Sequence, residues 1–217
     1  MKHNIIAISK LEVTALFPFI RTGMLAVCLA SALTGCSRSP RVTFYTLVPG
    51  TQVKTSAPAT AAAPTIVVGP VTLPEVVDRP QLVLRVAANR VDILESHRWA
   101  EPLKSEIPRL IAENLRRLLG SEHVSSYLQH TGTNADYRIL LDIQRFEATP
   151  GEAVTVEAAW ALRRTGGGTL KTGHSLIREP LGAGTRDYDS LVAAYGRALL
   201  AVSADLAQAI RAEATRE

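Results

Sequence analysis

The sequence predicts an α/β domain in which a mixed β-sheet of about six strands packs against two long amphipathic helices. Apolar residues recur at three- and four-residue spacing in two stretches, 103–119 and 191–210, which is the period of a helix with one buried face. Apolar and polar residues alternate in three stretches between 137 and 176, which is the period of β-strands. The resulting order of hairpin, helix, meander and helix excludes an all-parallel sheet.

Three strands are expected before the first helix. Residues 66–71 form a near-continuous apolar run, which is typical of a buried strand. Residues 81–86 and 90–95 are predicted to pair as a hairpin around Asn89, a residue type that tolerates the positive φ of a tight turn.

The first helix is predicted from Leu103 to Leu119, with Gly120 as its C-cap. Pro108 does not suit a helix interior, so the helix is either kinked there or begins near Ser105. We expect the charged residues of this stretch to lie mostly on the exposed face; they are Lys104, Glu106, Arg109, Glu113 and Arg116.

A meander of three strands is predicted at 137–146, 154–162 and 170–176, with the glycines at 166–168 forming the last turn. Phe146 breaks the alternation of the first of these strands and indicates a β-bulge. The second helix follows, with Asp187 or Asp189 as its N-cap.

The first 35 residues predict an export leader. A positively charged region precedes an apolar stretch at 24–33, which is too short to span a bilayer. A start at Met24 stays open, although it would remove Arg21 from the leader. The charged residues are Lys2, Lys10 and Arg21, together with the acid Glu12.

Leu33, Thr34 and Gly35 immediately precede Cys36. These four residues resemble the lipobox of bacterial lipoproteins, in which small side chains fit the signal peptidase and the cysteine thiol receives a diacylglycerol. We therefore predict cleavage before Cys36 and anchoring through lipid on its thiol; the alternative is an ordinary buried cysteine. Ser37 replaces the Asp that typically retains a lipoprotein in the inner membrane, so we expect the outer membrane.

We divide the chain into a leader at 1–35, a lipidated N-terminus with a flexible tether at 36–64, and a globular domain at 65–217. Residues 49–64 are mostly Pro, Ala, Thr, Ser and Gly, and they cannot bury enough apolar surface to offset the entropy of ordering. A short β-prone segment at 43–47 precedes them.

Charge and cysteine content exclude several function classes. The formal net charge is +4, and removal of the leader's three basic residues and one acid brings it to about +2, so the basic balance gives no support to nucleic-acid binding. Cys28 lies in the leader, which leaves Cys36 as the one cysteine of the mature chain. A disulfide or a cysteine metal site within one chain is therefore excluded.

One cluster in the mature chain can carry chemistry, namely His97, Arg98, Trp99 and Glu101. No histidine pair has the spacing of a zinc protease, and the glycines at 166–168 lack the ending of a phosphate loop. Three interpretations of the cluster stay open. His97 and Glu101 can share a proton in catalysis; Trp99 can anchor the core beside a solvated corner; or the Trp, Arg and His can form a protein interface.

Segments spread over nearly the whole mature chain carry a family pattern. They are Phe44-Tyr45-Thr46-Leu47, Leu73-Pro74-Glu75, Asp78-Arg79-Pro80-Gln81-Leu82, Asn89-Arg90, His97-Arg98-Trp99-Ala100-Glu101-Pro102-Leu103, Ala112-Glu113-Asn114-Leu115, Asp136-Tyr137-Arg138, the strand bearing Trp160, and Arg178-Glu179-Pro180. In combination they resemble the PqiC family, the auxiliary lipoproteins of ABC-type and mammalian-cell-entry (MCE) transport systems.

The resemblance implies an α/β domain with a mixed sheet. It also implies a periplasmic lipoprotein that docks an MCE tunnel protein at the outer membrane, in a lipid-transport system with an inner-membrane transporter that contributes to membrane integrity. The family has no established catalytic residues, so we expect a non-enzymatic protein without a cofactor or metal, and we also expect a homo-oligomer. We predict a partner or subunit interface at Arg79, His97, Arg98 and Trp99. The alternatives are a lipid carrier with a deep apolar cavity and a hydrolase that uses His97.

Overall fold

Eight strands and two helices form in the part of the chain that the computed structural model describes, residues 40–50, 64–129, 135–182 and 187–215. The helices are α1 (Leu103–Leu119) and α2 (Tyr188–Ala214). The strands are β1 (Thr43–Tyr45), β2 (Ile66–Thr72), β3 (Gln81–Ala87), β4 (Arg90–Trp99), β5 (Val124–Ser126), β6 (Tyr137–Thr149), β7 (Ala153–Arg164) and β8 (Thr169–Pro180).

The strands form two mixed sheets. The small sheet has the order β1-β4-β3, in which β1 runs parallel to β4 and β3 and β4 form the predicted hairpin. The large sheet has the order β5-β2-β6-β7-β8, in which β2 is parallel to both neighbours and β6 to β8 form the predicted antiparallel meander. The predicted α/β class with mixed strand pairing and two helices is confirmed, and the described strands number eight and divide between two sheets.

Two short strands account for the difference in number. β1 and β5 have three residues each and pair in parallel with β4 and β2, respectively. A stretch of three residues is too short for its period to predict a strand, and its pairing is decided by the tertiary structure.

The folded domain therefore begins earlier than residue 65. Tyr45 and Leu47 lie N-terminal of that boundary, yet they belong to the core with 8% and 7% of their surfaces exposed. Most of the predicted tether, residues 51–63, lies outside the described residues. The predicted leader at 1–35 and the predicted lipobox with Cys36 also lie outside them.

The local signals for bulge and caps are largely confirmed. The pairing of β6 with β7 shifts register between Ile143 and Arg145, and this bulge turns Phe146 into the core. Gly120 ends α1 in the left-handed conformation, and the Asp187 carboxylate accepts hydrogen bonds from the Asp189 and Ser190 backbone N–H groups at the start of α2. The expected positive φ at Asn89 is wrong, because none of the described non-glycine residues has one.

Helix α1 corrects the other local expectations. It begins at Leu103 and continues through Pro108, so it does not start at Ser105. Glu106, assigned to the exposed face, is 1% exposed. The N-terminal segment covers that side of the helix, which the period of the helix alone does not reveal.

Helix α2 is the central element of the core. By length and composition it could cross a bilayer, but 61% of its most apolar window is buried inside the domain. A core helix of a water-exposed domain has the same composition, and the buried stripe of α2 packs on β7, β8 and α1.

Three aromatic rings join the two sheets to α2. Phe146 of β6 stacks on Tyr195 of α2 with ring centroids 4.0 Å apart and an interplanar angle of 9°. Trp99, the last residue of β4, lies 6.2 Å from Phe146 and 5.9 Å from Tyr195, again between centroids. We call these residues the aromatic triad.

A buried polar chain fastens the meander to α2. The Trp160 indole N–H donates to the Ser175 hydroxyl at 3.2 Å, and that hydroxyl donates to the Asp205 carboxylate at 2.6 Å. Trp160 reaches Ser175 by lying flat beneath Gly173, where a Cβ would come within 2.1 Å of its ring.

We predict that Gly173→Ala destabilises the domain by about 1–3 kcal/mol, because the added methyl forces the Trp160 ring out of its position. The measurement is the melting temperature of the purified protein. Gly167→Ala is the matched control, since a Cβ there meets no atom closer than 3.7 Å. Equal melting temperatures for the two variants would contradict the prediction.

Candidate interaction surface at the first strand and the His97 corner

The N-terminal segment 41–50 is fixed to the domain along its length. Phe44 lies beside Arg98 and Tyr45 beside Trp99 in the β1–β4 pair, and the Tyr45 carbonyl accepts a hydrogen bond from the Ala100 N–H at 2.8 Å. Further along, the Leu47 N–H donates to Glu106 Oε1 of α1 at 2.7 Å. We call this attachment of segment 41–50 the N-terminal clasp.

The clasp also packs on the backbone of α2. A Cβ at Gly196 would lie 2.8 Å from the Val48 carbonyl oxygen, so only a glycine lets the segment approach the helix this closely. A Cβ at Gly50 would lie 2.6 Å from Leu200 Cδ2, which shows equally tight packing at the end of the segment.

The clasp presents an apolar outer side. Its burial alternates as in a strand, with Tyr45 and Leu47 inside. Val42, Phe44 and Val48 point the other way and are 42%, 62% and 56% exposed. We call these three side chains the outer ridge.

Glu106 is the buried charge of the clasp. Burial raises the pKa of its carboxyl above the ordinary value, an effect that outweighs the hydrogen bond from Leu47 and the charge of Arg109. Oε1 binds Leu47, whereas Oε2 is buried without a hydrogen-bond partner. Glu106 also lines a cavity of about 250 Å³ with Leu47, Pro49 and Arg109.

His97 occupies the corner between β1 and the start of α2. A 2.8 Å hydrogen bond joins His97 Nδ1 and the Tyr45 hydroxyl. The His97 ring lies 5.8 Å from the Tyr45 ring and 4.1 Å from the Tyr188 ring, between centroids. The imidazole is thus held by two tyrosines, one from the clasp and one from the helix.

The structure brings the four predicted interface residues together but gives them different surroundings. Arg98 lies beside the exposed Phe44 and donates through Nε to the Glu95 carbonyl at 2.9 Å. Arg79 is half-buried, and its Nε has no hydrogen-bond partner. It precedes Pro80, whose carbonyl accepts the Trp99 N–H at 2.7 Å. Trp99 is 6% exposed and closes the core, so it does not itself offer a contact surface.

The proposed proton-sharing pair of His97 and Glu101 is not formed. Glu101 instead makes an ion pair with Arg109 at 2.8 Å. Within the described ranges, no group of three or more His, Cys, Asp or Glu side chains is arranged to hold a metal ion. The contacts that the structure shows for His97 are its hydrogen bond to Tyr45 and its ring contacts with Tyr45 and Tyr188.

Sequence reasoning missed three residues of this region: Tyr45, Glu106 and Tyr188. The alternation in segment 43–47 was a usable signal for Tyr45, because Phe44 and Tyr45 must face opposite sides of a strand. No local pattern indicates that Glu106 is buried or that Tyr188 meets His97, since both depend on how the clasp crosses the helices.

Comparisons with known proteins bear on the same region. A family model described as ABC-type transport auxiliary lipoprotein component matches residues 45–207. A solved structure of an uncharacterized protein is similar with a TM-score of 0.59 and 18% identity, covering 79% of this chain and 99% of its own. Protein XCC0632 from Xanthomonas campestris, of family model DUF330, is similar with a TM-score of 0.59 and 18% identity, covering 76% of this chain and 93% of its own. Curated proteins give no match.

We predict that Glu106→Gln becomes more stable relative to the parent as pH rises. The substitution keeps an acceptor for the Leu47 N–H and removes the charge. Since the folded-state pKa of Glu106 is raised, the parent loses stability as pH rises from the ordinary value of 4.5 through the raised pKa, and the variant does not. The difference in unfolding free energy between variant and parent should change across this pH window and then level off above the raised pKa, as measured by urea unfolding across pH.

Glu113→Gln on the same helix is the matched control. Hydrogen bonding to Arg116 lowers the pKa of Glu113, so the parent holds this contribution above pH 4.5 and loses it as pH falls through the lowered pKa. The Glu113 variant should therefore lose stability relative to the parent as pH rises. The same pH dependence in both variants would show that Glu106 is not a buried acid.

Proposed function

The chain belongs to the family of ABC-type transport auxiliary lipoprotein components, and from that membership we propose a function for it. We propose a non-enzymatic periplasmic lipoprotein, anchored to the outer membrane through lipid on Cys36, that is an accessory subunit of an MCE-type intermembrane lipid transport system. Its partners in this proposal are an MCE tunnel protein and the associated inner-membrane transporter.

The observation that carries the proposal is the extent of the family match. The match begins at Tyr45, the residue that docks β1 against Trp99, and ends within α2 at residue 207. It therefore covers the clasp from Tyr45 onward, the His97 corner and all strands except the first two residues of β1. The lipobox ending at Cys36 supports the lipid anchor, and Ser37 supports the outer membrane.

The shape of the described domain favours an accessory subunit over a lipid carrier. A groove of about 480 Å³ opens between the small sheet and the start of α2. Its lining is mixed, because apolar residues such as Leu84 and Leu94 alternate with the acidic residues Asp92, Glu152 and Asp187, whereas pockets that enclose acyl chains are lined predominantly by apolar side chains. The apolar stripes of both helices are used in the core.

We further propose that the polar side of the His97 corner contacts a partner or a second copy of the chain. Arg98 carries this role, because its side chain is 35% exposed and its one ion pair is with Glu95, which is 73% exposed. Arg79 is half-buried beside this corner and adds a second positive charge there. Trp99 and His97 act from beneath by fixing the end of β4. Arginine is common among residues that dominate protein interfaces.

We expect Cys36→Ala to abolish acylation. The thiol is the atom that takes the lipid, so cells grown with labelled palmitate should label the parent and leave the variant unlabelled. The variant should also be absent from the outer-membrane fraction, since stable anchoring depends on the acyl chains. Equal labelling of both proteins would rule out the lipoprotein assignment, and recovery of the parent with the inner membrane would rule out the sorting assignment.

We expect Arg98→Glu to weaken binding to the MCE protein or self-association while the melting temperature stays near that of the parent. An exposed ion pair such as Arg98–Glu95 contributes only about 0–1 kcal/mol, so little stability is lost. The measurements are partner pull-down and mass by light scattering. Arg178→Glu is the matched control, because Arg178 is a 66% exposed arginine on β8 with a similar exposed ion pair. If both variants bind and assemble like the parent, the corner is not an interface.

A further inference from the structure

The clasp limits how far the domain can move from its proposed anchor. Cys36 precedes Thr43, the first residue of β1, by seven positions. A fully extended chain of that length reaches at most about 25 Å. Since β1 is paired with β4, an acylated Cys36 would hold this edge of the domain within that distance of the leaflet.

The outer ridge is placed on this same edge. Val42, Phe44 and Val48 are all more than 40% exposed and alternate with the buried Tyr45 and Leu47, so they share one side of the segment. Single exposed apolar side chains are common on protein surfaces, whereas three of them on one short edge segment concentrate apolar surface close to the proposed anchor. Arg41 is exposed at the start of the segment and adds a positive charge beside the ridge.

We propose that the outer ridge rests in the interfacial region of the leaflet that carries the acylated Cys36. This inference rests on the proposed function, because it requires the lipid anchor. Phe44, as the largest and most exposed side chain of the ridge, enters the boundary between headgroups and acyl chains. Arg41 lies at the level of anionic headgroups, where a basic residue gains electrostatic attraction.

The size of the ridge favours a membrane over a second copy as its occupant. A stable protein interface needs about 800 Å² from each partner, and a fully buried aromatic side chain supplies only about 150–250 Å². Three partly exposed side chains therefore fall well short of what a stable dimer needs. A membrane contact does not have that requirement, because the acyl chains supply the main affinity and keep the ridge at high local concentration.

The test uses the full mature lipoprotein in vesicles of phosphatidylethanolamine and phosphatidylglycerol whose acyl chains are brominated. Phe44→Trp places a fluorophore on the ridge, and Val48→Trp provides a second position. Leu176→Trp is the matched control, because Leu176 is 57% exposed on β8. The parent gives the background of Trp99 and Trp160, which are both buried.

We expect the tryptophan added at position 44 or 48 to emit at shorter wavelength in vesicles and to lose most of its emission in brominated lipid, whereas the one added at 176 does neither. The proposal would be overturned if the added tryptophan of all three variants emitted at the wavelength typical of tryptophan in water and was not quenched by brominated lipid. A shift to shorter wavelength that increases with the number of proteins per vesicle, without quenching by brominated lipid, would also overturn the proposal. It would assign the ridge to contact with a second copy of the chain.

Flotation and mass spectrometry of the same samples separate the two proposals. If the protein does not float or carries no acyl chain, the proposed anchor fails and the ridge assignment fails with it. If the protein is acylated and floats, but the tryptophans at 44 and 48 are unquenched, the anchor stands and only the ridge assignment fails.

Discussion

The aromatic triad is the contact on which the rest of the domain depends. The two sheets have separate hydrogen-bond ladders, so side-chain packing must hold them together. Phe146 comes from the large sheet, Trp99 from the small sheet and Tyr195 from α2, and the 4.0 Å stack of Phe146 on Tyr195 lies at their meeting point. Offset and edge-on aromatic pairs contribute about 0.5–1.5 kcal/mol beyond the area that they bury. The bulge in β6 contributes to this contact, because it turns Phe146 toward Trp99 and Tyr195.

The end of β4 connects that core to the surface. Successive side chains of a strand face opposite sides, so Trp99 faces the core and Arg98 faces outward. The same holds on β1, where Tyr45 faces the core and Phe44 faces solvent. A substitution that moves Trp99 would therefore also move Arg98 and the part of the clasp that pairs with β4. For this reason the interface proposed at the corner and the packing of the core are parts of one structure.

The long elements could be predicted from the sequence, because their pattern of apolar side chains repeats several times. The elements whose pairing depends on tertiary contacts could not. Helix α2 and the strands of the meander repeat their pattern over ten or more residues, so period and capping signals located them. β1 lies within the segment 43–47 that was predicted to be β-prone, but nothing in its three residues indicates the parallel pairing with β4. For the candidate site, the sequence identified the His97 to Trp99 cluster but could not decide whether Trp99 faces a partner or the core. It also placed Glu106 on the exposed face of α1, because the residue is buried only by a segment that arrives from elsewhere.

The clasp also orders events during synthesis. Tyr45 meets His97 across 52 residues and Leu47 meets Glu106 across 59, so the first contact needs the chain through β4 and the second needs the start of α1. Contacts with such separation form slowly, since a long loop must close first. A chain is synthesised from its N-terminus, so its first strand must wait for the later segments with which it pairs. Segment 41–50 is thus without its partners while the first part of the chain is made, and it joins the domain only once β4 and the start of α1 are in place.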